Sequence, residues 1–437
     1  MALKVAKFGG SSLADADMIR RVAAIVGADP QRQYVVPSAP GKRHGHDQKI
    51  TDLLYLCHEH ARQEVPFDEV FAIIAGRFGQ IIDDLGLDLD LRPHLEEVRG
   101  RIAQGAGPDY TASRGEALNG RILAAVLQMP YVDAAEVIRF AATGRFDREA
   151  TDAALARCFS DHTQAVIPGF YGSMPDGTIK TFSRGGSDVT GAIVARAAGA
   201  AVYENWTDVS GLLVTDPNVV HNPRPIQTVT YRELRELAYM GASVLHDEAI
   251  FPVREAGIPV NIRNTNDPDH PGTMIVRGDQ AEITSDITGI AGRRDFTVIA
   301  IEKALMNAEL GYGRRLLETL EASGISFEHM PSGIDTISVV IRDSELDGKL
   351  EKVLEDIRVA CKPDSLEVFS NMALIATVGR GMAHHTGTAA RLFAALADAG
   401  VNIRMIDQGS SELNIIVGVE ADDFEKAVQA IYRAFVT

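Results

Sequence analysis

Short apolar runs and longer amphipathic stretches alternate through the first part of the chain. The runs LKVAKFGG, QYVVPSAPG, AVIPGFYG and AAVYENWTDV have the length of β-strands and are bounded by Gly, Pro or Asp. Helix-like stretches such as ADADMIRRVAAIV and TGAIVARAAGA lie between them, and another helical pattern starts at Thr51. This alternation predicts an α/β domain with a mostly parallel central sheet flanked by helices.

The pattern weakens between Pro268 and Asp295, where prolines, glycines and scattered charges replace the regular alternation. Such a stretch is typical of a connection between domains. We therefore predict a first domain over residues 1–280 and a linker over residues 281–294.

Two units with one shared plan follow the linker, at residues 295–368 and 369–437. Each has a β run, a loop with glycine, an amphipathic helix, a turn and further β structure. In each unit a helix rich in Leu and Ala ends at a glycine, Gly324 or Gly400. The shared plan predicts an internal repeat of a small βαβ unit.

Length, composition and charge narrow the classes of function. The chain has 437 residues, so two or three domains are expected rather than one. Hydrophobic residues at 46% and charged residues at 24% are typical of globular proteins. The formal net charge of -17 argues against a nucleic-acid partner, so an anionic substrate has to meet cations that are placed locally.

The cysteines and the N-terminus bear on the compartment. Cys57, Cys158 and Cys361 are far apart and lack the spacing of a metal site, so we expect buried thiols in a reducing cytosol. The start MALKVAKFGGSS lacks the features of a signal peptide, and no apolar run is long enough to span a bilayer. We expect a cytoplasmic protein that has no membrane partner.

The motif KFGGSS, Lys7 to Ser12, ends the first predicted strand and precedes a helix that begins near Ala14. Glycines allow close approach to the backbone, and free N–H groups at a helix N-terminus attract an anion. Lys7 adds a positive charge for phosphoryl oxygens. The motif is not a Walker A loop, whose lysine follows the glycines, and a plain Gly-Gly turn is the alternative.

The motif SRGGSD, Ser183 to Asp188, also follows a β-like run and precedes a helix. Arg184 is suited to clamp a carboxylate with two hydrogen bonds, and Asp188 to orient Lys7 or a metal ion that bridges phosphates. The alternative is a surface turn with a capping aspartate. The density of functional residue types within six positions favours the first interpretation.

Two further motifs are weaker by themselves. NWTDVSGLLVTDP, Asn205 to Pro217, has two Thr-Asp pairs that suit ribose and adenine contacts but that equally cap turns. SRGE, Ser113 to Glu116, places Glu116 where it can accept hydrogen bonds from a substrate ammonium group. The alternative for Glu116 is a glutamate that stabilises the first turn of its helix.

The motifs KFGGSS, VPSAPG, SRGE, SRGGSD and WTDVSG occur in an order and at spacings that resemble the aspartate kinases of the amino acid kinase superfamily. The resemblance extends through YRELRELAYMGASVLH and NIRMIDQGSSELNIIV, so it covers nearly the whole chain. Within the superfamily, RGGSD and a paired ACT-like tail distinguish aspartate kinases from glutamate, acetylglutamate, carbamate and uridylate kinases. The resemblance implies an amino acid kinase fold followed by two α+β ACT-type modules.

The resemblance also implies the reaction and its residues. ATP, with Mg2+, would phosphorylate the side-chain carboxylate of L-aspartate to give 4-phospho-L-aspartate, with catalysis by positioning and electrostatics. By similarity, the catalytic residues are Lys7 and Asp188. The implied ATP contacts are Lys7, Gly9, Gly10, Ser11, Thr207, Asp208 and Asp216. The implied aspartate contacts are Ser38, Thr51, Glu116, Arg184 and Ser187.

The nucleotide side departs from the better-known aspartate kinases. Many of them have a basic residue after the Asp-Pro of the NWTD motif and a lysine just before Val-Leu-His. This chain has Asn218 and Ser243 at these positions, so two cations are missing.

The segment GKRHGHDQK, residues 41–49, is a candidate source of replacement cations. It carries Lys42, Arg43 and Lys49 between two implied substrate residues. A solvated, mobile loop is the equal alternative. A third interpretation, a metal site, would use His44, His46 and Asp47.

The C-terminal repeat resembles paired ACT modules, which bind amino acids and pair across dimers. The resemblance implies feedback inhibition by lysine or threonine and a homodimer or a dimer of dimers. Modules that only dimerise are the alternative. The implied effector positions are Met306, Asn307, Gly311, Tyr312, Ser326 and Phe327.

Three other readings of the function remain open at this point or are set aside by length. A kinase of the same superfamily for another amino acid differs only in its acceptor. An amino-acid sensor with an inactive kinase domain agrees with the missing cations but not with retention of Lys7, Arg184 and Asp188. We expect no fused homoserine dehydrogenase, because the chain stops at Thr437, directly after the second repeat.

Overall fold

A computed structural model describes residues 2–183, 185–242, 247–283 and 285–436, without the side chains at 247 and 248. The chain forms two compact units. The first contains residues 1–212, 227–231 and 244–281, and the second contains residues 213–226, 232–243 and 282–437. Two segments from the first 280 residues thus belong to the second unit, and a single boundary near residue 280 stays a prediction.

Seven of the described strands form one sheet in the first unit, and two more form a hairpin. The strands are β1 (Lys4–Phe8), β2 (Arg32–Pro37), β3 (Ala165–Val166), β4 (Tyr171–Ser173), β5 (Ile179–Thr181), β6 (Val202–Thr207), β7 (Thr228–Thr230), β8 (Val260–Asn264) and β9 (Thr273–Val276). The sheet order is β3-β2-β1-β6-β8-β9-β7, and β4 pairs with β5. All of the sheet pairings are parallel except that of β8 with β9. This is the mostly parallel sheet that the strand pattern predicts.

Helices accompany this sheet. They are α1 (Ala16–Gly27), α2 (Ile50–Arg62), α3 (Asp68–Leu85), α4 (Arg92–Ala103), α5 (Pro108–Leu127), α6 (Ala134–Val137), α7 (Arg148–Asp161), α8 (Gly186–Ala197) and α10 (Phe251–Ala256). Asp15, Asp133 and Asp147 precede three of them, and each carboxylate accepts a hydrogen bond from a backbone N–H of the first turn. Between α8 and α10 the chain forms α9 (Tyr231–Tyr239), which belongs to the second unit except for its first residue.

The main core of the first unit joins strands β1 and β2 to the helices that follow them. Phe8, Leu54, Phe78 and Trp206 are among its fully buried members. The three cysteines are buried and free of disulfides, as expected from their spacing. Among the described helices, none combines the length and apolar character that crossing a bilayer requires.

The second unit has one antiparallel five-stranded sheet with helices. Its strands are β10 (Gly289–Glu302), β11 (Thr336–Arg342), β12 (Ser365–Val378), β13 (Met405–Asp407) and β14 (Asn414–Glu420), in the order β11-β10-β12-β14-β13. Its helices are α11 (Tyr312–Ala322), α12 (Asp343–Leu346), α13 (Leu350–Cys361), α14 (Thr388–Asp398) and α15 (Phe424–Val436).

In the two units together, single 3-10 turns occur at Ser11–Leu13, Asp247–Ile250, Gly278–Gln280, Met306–Ala308, Arg380–Ala383 and Ala421–Asp423.

The two long strands β10 and β12 serve two separate cores. The first part of β10, through Arg293, pairs with residues 374–378, and its last part, from Phe296, pairs with residues 365–372. One core contains Ile299 and Leu316, and the other contains Ile375 and Leu392. The sequence could not show how the two C-terminal modules, residues 295–368 and 369–437, share strands. In the structure, both long strands contribute to the cores of both modules.

The assignment of residues 281–294 to a linker differs from the structure, because β10 already begins at Gly289. Gly292 interrupts the alternation of apolar and polar residues by which a strand is predicted from sequence. A Cβ atom at Gly292 would lie 2.7 Å from both Leu374 O and a ring carbon of Phe424. A glycine therefore allows the close approach of β12 and α15 while it weakens the strand signal.

Candidate active site

Lys7 and Asp188 form a close ion pair at the carboxyl end of β1. Lys7 Nζ lies 2.6 Å from Asp188 Oδ1, and Lys7 is only 7% exposed. Asp188 lies in the first turn of α8, where the helix dipole favours a negative charge. Asn205, which is opposite Lys7 in the parallel pair β1–β6, donates from Nδ2 to the same carboxylate oxygen at 2.7 Å. Three elements thus fix one ammonium group.

The glycines of KFGGSS bring two loops into direct backbone contact. Gly9 N donates to Trp206 O at 2.9 Å, and Gly41 N donates to Gly10 O at 2.7 Å. A Cβ atom at Gly10 would lie 2.9 Å from Ala39 O, so a side chain there would push the loops apart. Ser11, which is half-buried, opens the 3-10 turn that follows. The result is a close-packed glycine surface beside Lys7, since a Cβ atom at Gly9 would lie 3.7 Å from Lys7 Nζ.

Glu116 is a buried carboxyl group with unused hydrogen-bonding capacity. It is 5% exposed, and its Oε2 has no hydrogen-bond partner among the described residues. Burial raises the pKa of Glu116 to about 8, and the N–H of Ala39 offsets only part of this effect. A buried acid of this kind is suited to receive a cationic group from a ligand.

The other implied aspartate contacts lie on segments around Glu116. Ser38 N donates to Phe8 O at 3.1 Å, and Ser38 O accepts from Asn119 Nδ2 at 2.7 Å. Asn119 is three residues after Glu116 on α5, so both side chains share one face of that helix. The N–H of Ala39 bonds to the Glu116 carboxyl group, so Glu116 on α5 lies against the segment after β2 that carries Ser38.

Thr51 and Ser187 belong to the starts of two helices. Thr51 is half-buried in the first turn of α2, and Ser187 is buried in the first turn of α8, next to Asp188. Arg184, the implied carboxylate clamp, lies outside the described residues, as does Ser243.

The implied nucleotide contacts are not all in one unit. Thr207 ends β6, and its Oγ1 donates to Asp208 Oδ1 at 3.2 Å in the first unit. Asp216 belongs to the second unit, where its Oδ1 accepts from the N and Nδ2 of Asn218 at 2.8 and 2.9 Å. The described contacts thus connect Thr207 with Asp208 and do not place Asp216 beside them.

The six implied effector positions lie on two segments that border one core of the second unit. Met306 and Tyr312 are buried in this core, and Tyr312 Oη has no hydrogen-bond partner among the described residues. Phe327 is exposed, and Ser326 N donates to Glu345 Oε2 at 3.4 Å. Asn307 and Gly311 complete the set on the loop before α11.

Sequence reasoning missed two polar residues that the site contains. Asn205 belongs to the NWTD motif, but the sequence by itself indicated no role for it. Its contact with Asp188 follows from the register of β1 and β6. Asn119 holds Ser38 from α5. Its spacing of three residues from Glu116 is the signal that could have identified it.

Among the described residues, no group of three or more His, Cys, Asp or Glu side chains is arranged to hold a metal ion. His44 and His46 are exposed, and Asp47 instead accepts from the guanidinium Nε of Arg43 at 2.8 Å. The metal-site interpretation of residues 41–49 therefore gains no support from the geometry.

Comparison with known proteins agrees with the fold. Residues 2–264 match the amino acid kinase family, and residues 375–435 match an ACT domain. These matches define an amino acid kinase with a C-terminal ACT domain. Aspartokinase 3 of Bacillus subtilis (strain 168) is 39% identical over 449 residues, which cover 99% of this chain and 98% of that protein. The chain belongs to the aspartokinase family, and its enzyme class is aspartate kinase, as the sequence predicts.

Solved structures of the family support the same conclusion. Clostridium acetobutylicum aspartate kinase matches with a TM-score of 0.96 at 56% identity, over 99% of this chain and 100% of that one. E. coli aspartokinase III with aspartate and ADP (R-state) matches with a TM-score of 0.73 at 27% identity, over 99% of both chains. The same E. coli protein with lysine and aspartate (T-state) gives 0.76 at 26% identity, over 100% of both. The predicted amino acid kinase fold with ACT-type structure is confirmed.

Proposed function

We propose that the cluster around Lys7 and Asp188 transfers the γ-phosphoryl group of ATP to the side-chain carboxylate of L-aspartate. The observation that carries this proposal is the 2.6 Å pair of the buried Lys7 with Asp188, beside the backbone of Gly9 and Gly10. The Lys7 ammonium group is fixed before any substrate binds, so it can stabilise negative charge on the phosphoryl group in transit without reorganisation. The aspartate carboxylate is already ionised at neutral pH, so no general base is required.

Recognition of the acceptor depends on both ends of the aspartate zwitterion. Glu116 has a raised pKa because it is buried, and a substrate ammonium group next to it would favour the ionised carboxylate. Arg184 is proposed to bind a substrate carboxylate. Ser38, Thr51 and Ser187 supply hydroxyl groups on the surrounding segments.

The residues at the phosphate site fit a magnesium ion. Mg2+ in kinases is held by one or two carboxylates together with substrate phosphates, and Asp188 supplies such a carboxylate at the phosphate surface. The ion would neutralise charge on the nucleotide. Lys7 and Asn205 both contact Asp188 Oδ1 and so hold this carboxylate in place.

The ACT-type region is proposed to bind an amino-acid inhibitor, lysine or threonine. The lysine complex of E. coli aspartokinase III, with ACT-type structure of the same fold, supports lysine as the first candidate. The implied positions around Tyr312 border a loop with large exposed apolar residues, Leu305 at 73% and Leu310 at 96%. Such a surface is typical of an interface, and we propose a homodimer or a dimer of dimers through this region. A cytoplasmic location stays a prediction.

An acceptor panel tests the catalytic proposal. ADP release would be measured with ATP, Mg2+ and, in turn, aspartate, glutamate and acetylglutamate. We expect turnover with aspartate alone. Turnover with glutamate or acetylglutamate that equals or exceeds turnover with aspartate would contradict the proposal. Repeating the aspartate assay with lysine, threonine, methionine, and lysine with threonine identifies the inhibitor.

A further inference from the structure

A buried arginine outside the implied site, Arg77 on α3, holds the loops that form the phosphate site. Arg77 is 5% exposed. Its Nη1 donates to Gln48 O at 2.9 Å and lies 3.3 Å from the carboxylate of Asp47. Its Nη2 donates to Ala14 O at 3.0 Å and also to Gly41 O. Both terminal nitrogens therefore have two acceptors each.

These acceptors belong to the two loops that meet at Gly10. Ala14 ends the turn after KFGGSS, while Gly41 opens the loop of residues 41–49, and Asp47 and Gln48 lie at its end. Gly41 N also bonds to Gly10 O. One guanidinium group thus connects both ends of loop 41–49 to the phosphate turn.

Loop 41–49 is closed and internally paired. Ile50 N donates to Pro40 O at 3.3 Å at the base of the loop. Arg43 Nε donates to Asp47 Oδ2 at 2.8 Å, so the Asp47 carboxylate is shared between two guanidinium groups. The hydrogen bond from Arg43 holds the pKa of Asp47 well below its usual range. These contacts are those of an ordered loop rather than of a solvated, mobile one.

The chemistry at position 77 requires a guanidinium group. Burial lowers the pKa of Arg77, and the charge of Asp47 opposes that effect. A planar fork reaches acceptors on several sides at once, whereas a lysine ammonium is one compact charge that cannot span them. Lysine at this position would therefore keep the charge but release part of the loop.

The loop presents two cations at its ends. Lys42 follows Gly41 directly, and Lys49 precedes Ile50, so each is adjacent to a residue that closes the base of the loop. Both lysines are exposed, and neither has an ion-pair partner among the described residues. In a chain with a net charge of -17, Lys42 brings a positive charge to the residue that follows Gly41, whose N–H bonds to Gly10 O of the phosphate turn.

We propose that Arg77 is a positioning residue for ATP binding. Arg77 fixes loop 41–49 so that Lys42 and Lys49 contact the nucleotide phosphates. This inference rests on the proposed phosphate site at Gly9 and Gly10. It predicts that loss of the Arg77 fork weakens ATP binding and leaves aspartate binding unchanged.

The test measures ATP affinity directly in the full-length Arg77→Lys protein. Trp206 is the single tryptophan of the chain, and its carbonyl accepts from Gly9 N, so its fluorescence can report ATP at the turn. We expect the Kd and the KM for ATP to rise about tenfold in this variant, with kcat and the KM for aspartate within about twofold of wild type. Added guanidinium should restore part of the ATP affinity in Arg77→Ala.

The control is Arg99→Lys, because Arg99 is an exposed arginine of α4 that pairs with Asp68 at the start of α3. This variant should bind ATP as the wild type does. The double variant Lys42→Ala/Lys49→Ala should also weaken ATP binding, and adding Arg77→Lys to it should have little further effect. A general fold defect would instead raise the KM for aspartate and escape guanidinium rescue.

Two results would overturn the inference. One is an unchanged ATP affinity in Arg77→Lys. The other is a rise in the Kd for ATP in the combined variant that equals the product of the rises caused by Arg77→Lys and by Lys42→Ala/Lys49→Ala. The fluorescence titration also separates this inference from the catalytic proposal. Wild-type protein that binds ATP but does not phosphorylate aspartate would refute the catalytic proposal alone, because the dependence of ATP affinity on Arg77 is measured without turnover.

Discussion

The proposed phosphate site and the effector segments differ in the solvent exposure of their side chains. Lys7 is 7% exposed and has a carboxylate partner at 2.6 Å, which in turn is held by Asn205. In the loop before α11, by contrast, Leu305 is 73% and Leu310 is 96% exposed. The difference agrees with the proposal that one chain preorganises its own catalytic charges, whereas the proposed homodimer covers the exposed loop.

The largest effect is expected where the phosphate site is most preorganised. Asp188→Asn keeps the shape of the side chain but removes the charge that holds Lys7 and fits a magnesium ion. We expect kcat at saturating substrates to fall about a hundredfold or more. Asp68→Asn, which changes an exposed carboxylate paired with Arg99, is the control and should retain activity. Equal kcat values for the two variants would show that Asp188 has no catalytic part.

A smaller effect is expected at the acceptor side, from Glu116→Gln. A hydrogen bond to a charged group contributes about 1.5–3 kcal/mol, so the KM for aspartate should rise about tenfold to a hundredfold. The KM for ATP should stay near the wild-type value. A variant with unchanged aspartate KM would remove Glu116 from the ammonium site.

The raised pKa of Glu116 adds a dependence on pH to this comparison. With a pKa of about 8 in the free protein, Glu116 is mostly protonated at pH 6 and must lose its proton to pair with an ammonium group. The wild-type KM for aspartate should therefore fall between pH 6 and pH 8, and the Glu116→Gln profile should be flatter. A profile of the same slope in both proteins would contradict this assignment.

In the protein without substrate, the raised pKa of Glu116 makes the free energy of unfolding fall as the pH rises, whereas aspartate binding improves over the same range. The folded-state pKa lies above the ordinary value of 4.5, so the stabilisation from protonated Glu116 is complete below pH 4.5 and is lost as the pH rises through about 8. Thermal unfolding should show that the Tm of wild type falls more steeply over this range than the Tm of Glu116→Gln. Parallel Tm curves would indicate that Glu116 is ionised throughout.

The smallest effect on turnover is expected on the regulatory surface. Leu310→Asp should dissociate the oligomer and weaken amino-acid inhibition, with kcat within about twofold of wild type because the catalytic cluster lies in the other unit. Light scattering and inhibition curves measure the two changes. Val359→Asp, at another exposed position of the same unit, is the control and should change neither. An unchanged oligomer in Leu310→Asp would place the interface elsewhere.

The sequence predicted best what depends on neighbouring residues. The Gly-Gly turn after β1 and the strand-helix alternation are local signals, and they led to Lys7 and to the parallel sheet. Asp188 became a candidate because SRGGSD places several functional residue types within six positions, and the resemblance to aspartate kinases implied its catalytic role.

The sequence could not show what depends on pairing between distant segments. The role of Asn205 follows from its register with Lys7, and the strand at Gly292 is concealed by the residue that permits its close packing. The buried Arg77 is 29 residues from Gln48 and 63 from Ala14, so no local pattern connects these partners. Long-range contacts of this kind are where local propensity carries no information.

The most direct test of the account is aspartate-dependent phosphoryl transfer by wild type and by Lys7→Ala, with ATP binding and thermal unfolding measured on both. We expect wild type to phosphorylate aspartate, and Lys7→Ala, still folded, to be slower by about a thousandfold. Activity of Lys7→Ala within a few-fold of wild type would contradict the assignment of Lys7 as the residue that stabilises the transferred phosphoryl group.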